Sequence, residues 1–169
     1  MRKLSILKTL IDLAFFFSAI TVLSIIIFIP MMILGYADDF PIRMNGVEIA
    51  AYDLPTKLIL VCAGIGGLFF FYSLYLFRST ISFFTKRDIF NDTVIHNFNR
   101  IGKFLVASSL MISVPFLFYS VFYGSKLNVS LDVSFGSPLL AISLGLFFMV
   151  LSEVFKIAKN LKEENDLTL

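Results

Sequence analysis

The sequence predicts an all-α integral membrane protein with four transmembrane helices in an antiparallel bundle. Three observations carry this. The chain is 58% hydrophobic and 15% charged, against roughly 25% charged in an ordinary soluble domain. Its apolar residues gather into four long runs, at about 13–36, 58–77, 104–123 and 138–157. Finally, the basic residues sit on alternate sides of those runs. A soluble fold of 169 residues with 21 Phe would expose large apolar patches to water. Lipid removes that conflict, and residues 1–169 read as one four-span membrane domain.

The basic start, MRKLSILK, and the following run Leu13–Tyr36 share the polarity of a secretory signal. A signal core is about 7–15 residues and ends at a small-x-small site. This run has 24 residues and ends in GYADDFP, so a retained span is expected. Pro30 should kink its last third by removing a bond to the carbonyl of Ile26.

The outer loop 37–57 contains Asn45-Gly46, a two-residue hairpin signal, flanked by Ile42, Met44, Val47 and Ile49. Two strands are marginal alone. The second outer loop, 124–137, alternates apolar and polar residues at Leu127, Val129, Leu131, Val133 and Phe135. A small extracytoplasmic antiparallel β-sheet is the expectation.

The second run holds Cys62, Gly64, Gly66 and Gly67. A glycine cluster cradles phosphate only after a strand and at a helix start, so close helix packing is the better reading. The third run carries Pro115, and the fourth opens on Ser137-Pro138, an N-cap followed by proline at the first helical position. That helix should continue into the tail, 158–169, and stop near Asn165 and Asp166.

Four spans put both termini on the side of the central loop 84–103. That side holds Arg2, Lys3, Lys8, Arg78, Lys86, Arg87, Arg100, Lys103, Lys156, Lys159 and Lys162, 11 of the 14 basic residues. The positive-inside rule then predicts a multi-pass protein of the cell inner membrane with both termini cytoplasmic.

Charge and single residues exclude several chemistries. A net charge of +2 does not argue for direct nucleic-acid binding. One cysteine and one histidine, His96, rule out an intrachain disulfide, a thiol-pair oxidoreductase and multi-histidine metal sites. No acidic cluster suits Mg²⁺, and the first run has no mid-span carboxylate of the small multidrug exporter kind. No cofactor is expected, and the chain is read as non-enzymatic.

Four residues stand out as an inner-rim charge cluster: Asp12, Arg78, Glu153 and Lys156. Counting about 1.5 Å per residue from Pro138 puts Glu153 about 22 Å into a layer about 30 Å thick. Such a carboxylate is a functional candidate by default, for proton or cation transport. An ion pair with Arg78 or Lys156 is the favoured reading.

Within the loop, Asn91 suits an N-cap and Asp92 the first helical turn. Val94, Ile95, Phe98 and Ile101 then form one apolar stripe, with Asn97, Arg100 and Lys103 off it. The expectation is a short cytoplasmic amphipathic helix lying along the anionic inner leaflet, turning into the third span near Gly102.

Two motifs resemble a known family. Phe84–Gly102, with the core IFNDTVIHNFNRIG (Phe90, Asn91, Val94, Phe98, Ile101, Gly102), resembles its loop pattern F-[ST]-x-x-[NS]-V-x-x-[LF]-x-x-I-G. The ending with Glu164, Asn165, Asp166, Leu167 and Thr168 resembles its closing E-N-D-L-T-[VIL]. The family is domain-of-unknown-function 2975, bacterial proteins with four predicted spans. Asn91 stands where Ser or Thr is more usual, a conservative change for an N-cap. The resemblance implies no activity. It implies a regulatory, sensory or accessory role, since its genes are often seen beside small helix-turn-helix regulators of the Cro/CI type. The tail is then a docking peptide or, the favoured reading, a helix end capped by Asn165 and packed on the central loop.

Overall fold

The computed structural model describes residues 2–36, 42–44, 47–49, 54–86, 89–123 and 137–167. Four long helices dominate: α1 (Arg2–Ile33), α2 (Leu54–Thr85), α3 (Asp92–Tyr123) and α4 (Pro138–Leu167). At 32, 32, 32 and 30 residues they run to about 45–48 Å, beyond the ~30 Å hydrocarbon thickness. All four are long and apolar enough to cross a membrane, and the chain is a multi-pass membrane protein. The apolar runs read from the sequence fall largely within them.

Neighbours in sequence pack antiparallel. Asp12 of α1 meets Arg78 of α2, and Phe15 stacks on Phe71 at 4.9 Å. Phe69 of α2 meets Phe104 of α3 at 5.6 Å, while Ser152 of α4 donates to the Ile95 carbonyl of α3 at 2.8 Å. The helices do not close into an even bundle. α2, α3 and α4 share a core of Leu76, Val94, Phe98, Ile101, Leu105 and Phe148, whereas α1 packs chiefly on α2. Leu13, Phe16, Phe17, Ile20 and Leu23 of α1 are exposed, as lipid-facing residues are.

Small residues set the closest approaches. A Cβ on Gly64 would lie 2.5 Å from Ile29 Cδ1 of α1, and one on Gly66 2.7 Å from Ile112 Cγ1 of α3. The α2 glycines are packing positions. Ser108 donates to the Gly66 carbonyl at 2.7 Å across the same contact, and Ser109 to the Pro138 carbonyl at 3.0 Å. The second bond pins the start of α4 at the level of the middle of α3.

Helix ends follow local chemistry. α1 stops at Ile33, short of Tyr36, because Gly35 takes φ 82° and closes a Schellman cap. Its N–H reaches the Met32 carbonyl at 3.2 Å and the Tyr36 N–H reaches Met31 at 3.0 Å. Asn91 caps α3: its Oδ1 accepts from the Thr93 N–H at 2.9 Å, and its carbonyl from Val94 at 3.0 Å. At α4, Leu140 and Ala141 donate to the Ser137 carbonyl, and Pro138 has no N–H to satisfy.

Three expectations are corrected. The loop segment is not a separate surface helix turning near Gly102, since α3 runs unbroken from Asp92 to Tyr123. Its stripe is buried in the protein core, with Asn97 also buried. Asn165 does not cap α4, which stays helical to Leu167. The outer sheet is not supported. Among the described residues, β1 (Ile42–Met44) pairs antiparallel with β2 (Val47–Ile49), Arg43 opposite Glu48. Two three-residue strands make a hairpin only, and the expected third strand, 126–135, lies outside the described residues.

Candidate rim charges and helix-end face

The four rim residues do not form one cluster. Arg78 Nε donates to Asp12 Oδ1 at 2.6 Å, and its guanidinium lies 5.0 Å from the centroid of Phe15. Among the described residues Glu153 has no ion pair, and it is exposed, as is Lys156. The reason is helical geometry. Ser152 points at α3 to bond Ile95, so Glu153, 100° further round α4, points away from the other helices. The expected pairing of Glu153 with Arg78 is thus replaced by Asp12 with Arg78.

Because the Arg78 and Asp12 side chains remain 47% and 36% exposed, their coupling should be small. A double-mutant cycle with Asp12→Asn and Arg78→Gln, read by thermal unfolding in detergent, should give about 1 kcal/mol or less. A coupling several times larger would mean that the pair, rather than ring and glycine contacts, holds α1 to α2.

At the same end, the start of α3 and the last turns of α4 build a continuous face. Lys159 Nζ lies 2.7 Å from Asp92 Oδ2 and 3.6 Å from Glu163 Oε1. Asp92 and Lys159 lie outside the apolar runs at 104–123 and 138–157. The Lys159 hydrogen bond, then its charge, hold the Asp92 carboxyl below the usual range, and Asp92 in turn raises Lys159. For the carboxyl the sign is plain: any stabilisation is present at neutral pH and fades as pH falls through the lowered value.

Aromatic rings fill the space beneath. Phe155 of α4 lies 5.4 Å from Phe98, 5.9 Å from Phe84 and 6.5 Å from Phe90. Phe98 also stacks on Phe148 at 5.9 Å, and Lys162 Nζ sits 5.5 Å from the Phe90 centroid. The two sequence motifs therefore meet in part. Val94, Phe98, Ile101 and Gly102 are core residues, and Phe90 and Asn91 form the turn above them. Glu164, Asn165, Asp166 and Leu167 extend past the contact as the exposed end of α4, while Thr168 lies outside the described residues. His96 is exposed on α3.

Sequence reasoning missed Ser108, Ser109, Ser152, Gly145 and Lys159 as contact residues. The signal was there for the first four: small or hydroxyl residues recurring inside apolar runs mark helix contacts in lipid. Lys159 carried no such sign.

Two openings are lined by described residues. A groove of about 560 Å³ lies between α1 and α2, walled by Thr21, Ile25, Phe28, Leu60 and Gly64 among others. A smaller one, about 230 Å³, lies where α2, α3 and the start of α4 meet, beside Ser108, Ser109, Ser113 and Ser137. Glu153 lines neither.

A family model described as "Protein of unknown function (DUF2975)" matches residues 42–169, from the hairpin through α4. No curated protein and no solved structure matches the chain.

Proposed function

Because the chain belongs to the DUF2975 family, whose description assigns no activity, we propose a function from its own geometry. It is a non-enzymatic membrane accessory or sensor that engages a soluble regulatory protein at the face built by Phe90–Asp92 and the end of α4. The supporting observation is the double fastening of α4 to that turn, through Lys159 to Asp92 and Lys162 to Phe90. It gives the last turns, Glu163–Leu167, a fixed base while leaving them exposed to water. A flexible tail would lose more entropy on docking than a helix already held at its root.

The membrane is the cell inner membrane and both termini face the cytoplasm, because 11 of the 14 basic residues fall on that side of the spans. Reporter fusions at either terminus check this, and an outside terminus would overturn it. The partner suggested by family gene neighbourhood is a small helix-turn-helix regulator. A transport role through Glu153 draws no support from its position on the outward face of α4, outside both openings.

The test is co-purification of the tagged full chain with such a regulator from native membrane, with and without residues Glu163–Leu169. Recovery with the intact chain and at least a tenfold drop on truncation is the expected result. Equal recovery from both forms, or none from either, refutes the docking role.

A further inference from the structure

One charged feature is used neither by the rim pair nor by the helix-end face. Arg100 and Lys103 of α3 are exposed and, among the described residues, form no ion pair. Their depth makes that unusual. Phe104, the next residue, packs edge-on against Tyr72 of α2 at 4.8 Å. Tyr72 precedes Arg78 by about 9 Å of helix, so the backbone at Lys103 lies about that far inside the rim marked by Asp12 and Arg78. Gly102 meets Gly145, and Glu153 lies about 12 Å further along α4, which places the level independently.

Unpaired cations at this depth are costly unless an anion reaches them. Their long stems can carry both heads toward the rim. At i and i+3 their Cβ atoms are about 5–6 Å apart, close enough to serve one anion. Past them the same outward face continues as Ala107, half-buried, then Leu110 and Val114, both exposed. Two cations at the rim end of an apolar strip match a phosphate joined to an acyl chain.

We propose that the outward face of α3 binds an anionic phospholipid, with its phosphate held by Arg100 and Lys103 and an acyl chain along Ala107, Leu110 and Val114. A free phosphate would satisfy the cations but not the strip. The lipid belongs to the leaflet at the N-terminal end of α3, and His96, one turn nearer water, borders its headgroup.

The test is native mass spectrometry of the full chain exchanged into phosphatidylglycerol or phosphatidylcholine of identical chains, with thermal unfolding in the same mixtures. The wild type should retain phosphatidylglycerol preferentially and melt at higher temperature in it. Arg100→Gln with Lys103→Gln should weaken retention about thirtyfold, at about 1 kcal/mol per basic residue. Arg100→Lys with Lys103→Arg should keep it. Lys8→Gln with Lys156→Gln removes the same charge elsewhere, at two exposed positions, and should change it less than threefold. No preference in the wild type overturns the site without any variant having to fold. So does equal loss in both Gln pairs, or full competition by glycerol 3-phosphate at the lipid's own concentration.

Discussion

Gly102→Val should separate α3 from α4 and give the largest loss of stability of any single change in the chain. A Cβ at this position runs into the Gly145 carbonyl oxygen and would lie 2.6 Å from Met149 Cγ and 3.0 Å from the Met149 backbone nitrogen. Met149 Cγ can swing aside, but the two backbone groups cannot move without parting the helices. Overpacking typically costs about 1–3 kcal/mol where side chains can yield, and a backbone obstruction puts this case at or above the top of that range. Gly145 is the reciprocal partner, with a Cβ placed 2.8 Å from the Gly102 oxygen. Gly67→Ala is the fitting control. Its Cβ meets only Ile25 Cδ1, at 3.2 Å, the tip of a flexible side chain. Thermal unfolding in detergent should show a fall of many degrees for Gly102→Val and little for Gly67→Ala. Equal melting of Gly102→Val and wild type would refute the close crossing.

Phe98→Ala should be the next most damaging, through a different route. Phe98 is 3% exposed and touches the rings of Phe84, Phe148 and Phe155, so its removal opens a void shared by α2, α3 and α4. In water-soluble cores such a change costs about 3–5 kcal/mol. In a membrane part of the transfer term disappears, because an unfolded span is already in an apolar medium. The packing term remains, so about 2–3 kcal/mol is expected. The void lies under the root of the exposed α4 end, which should then detach locally. Limited trypsin digestion should cut after Lys159 and Lys162 several times faster than in wild type, with Phe98→Leu between the two. Unchanged cleavage would mean that the Lys159 and Lys162 contacts hold the end of α4 without the ring cluster. The same variant should also lower regulator recovery, since the docking end would lose its fixed base.

Both predictions concern residues whose importance was only partly legible. The sequence puts Phe98 on an apolar stripe and points to Gly102 as a turn between two helices. The stripe is real, but α3 passes straight through Gly102, and the absent side chain serves a helix crossing instead of a bend. Asn91 suits a cap by residue type, and its Oδ1 accepts that bond. The apolar run continues to Tyr36, three residues past the end of α1 at Ile33, and Gly35 is the signal for the stop.

The sequence by itself determined that this is a four-span membrane protein and where its polar segments fall. It also marked the cap of α3 and the two motifs of the DUF2975 family. These follow from composition and local hydrogen bonding, which are properties of short stretches. Only the tertiary structure decided which apolar faces meet protein and which meet lipid. It turned Val94, Phe98 and Ile101 inward, left most of α1 outside the core, aimed Glu153 away from Arg78 and, among the described residues, left Arg100 and Lys103 without an ion pair. The reason is that lipid tails and protein interior are nearly equal as apolar surroundings. In water, hydrophobicity separates inside from outside; in a bilayer, that choice passes to glycine contacts, ring packing and a few hydroxyl-to-carbonyl bonds between distant parts of the chain.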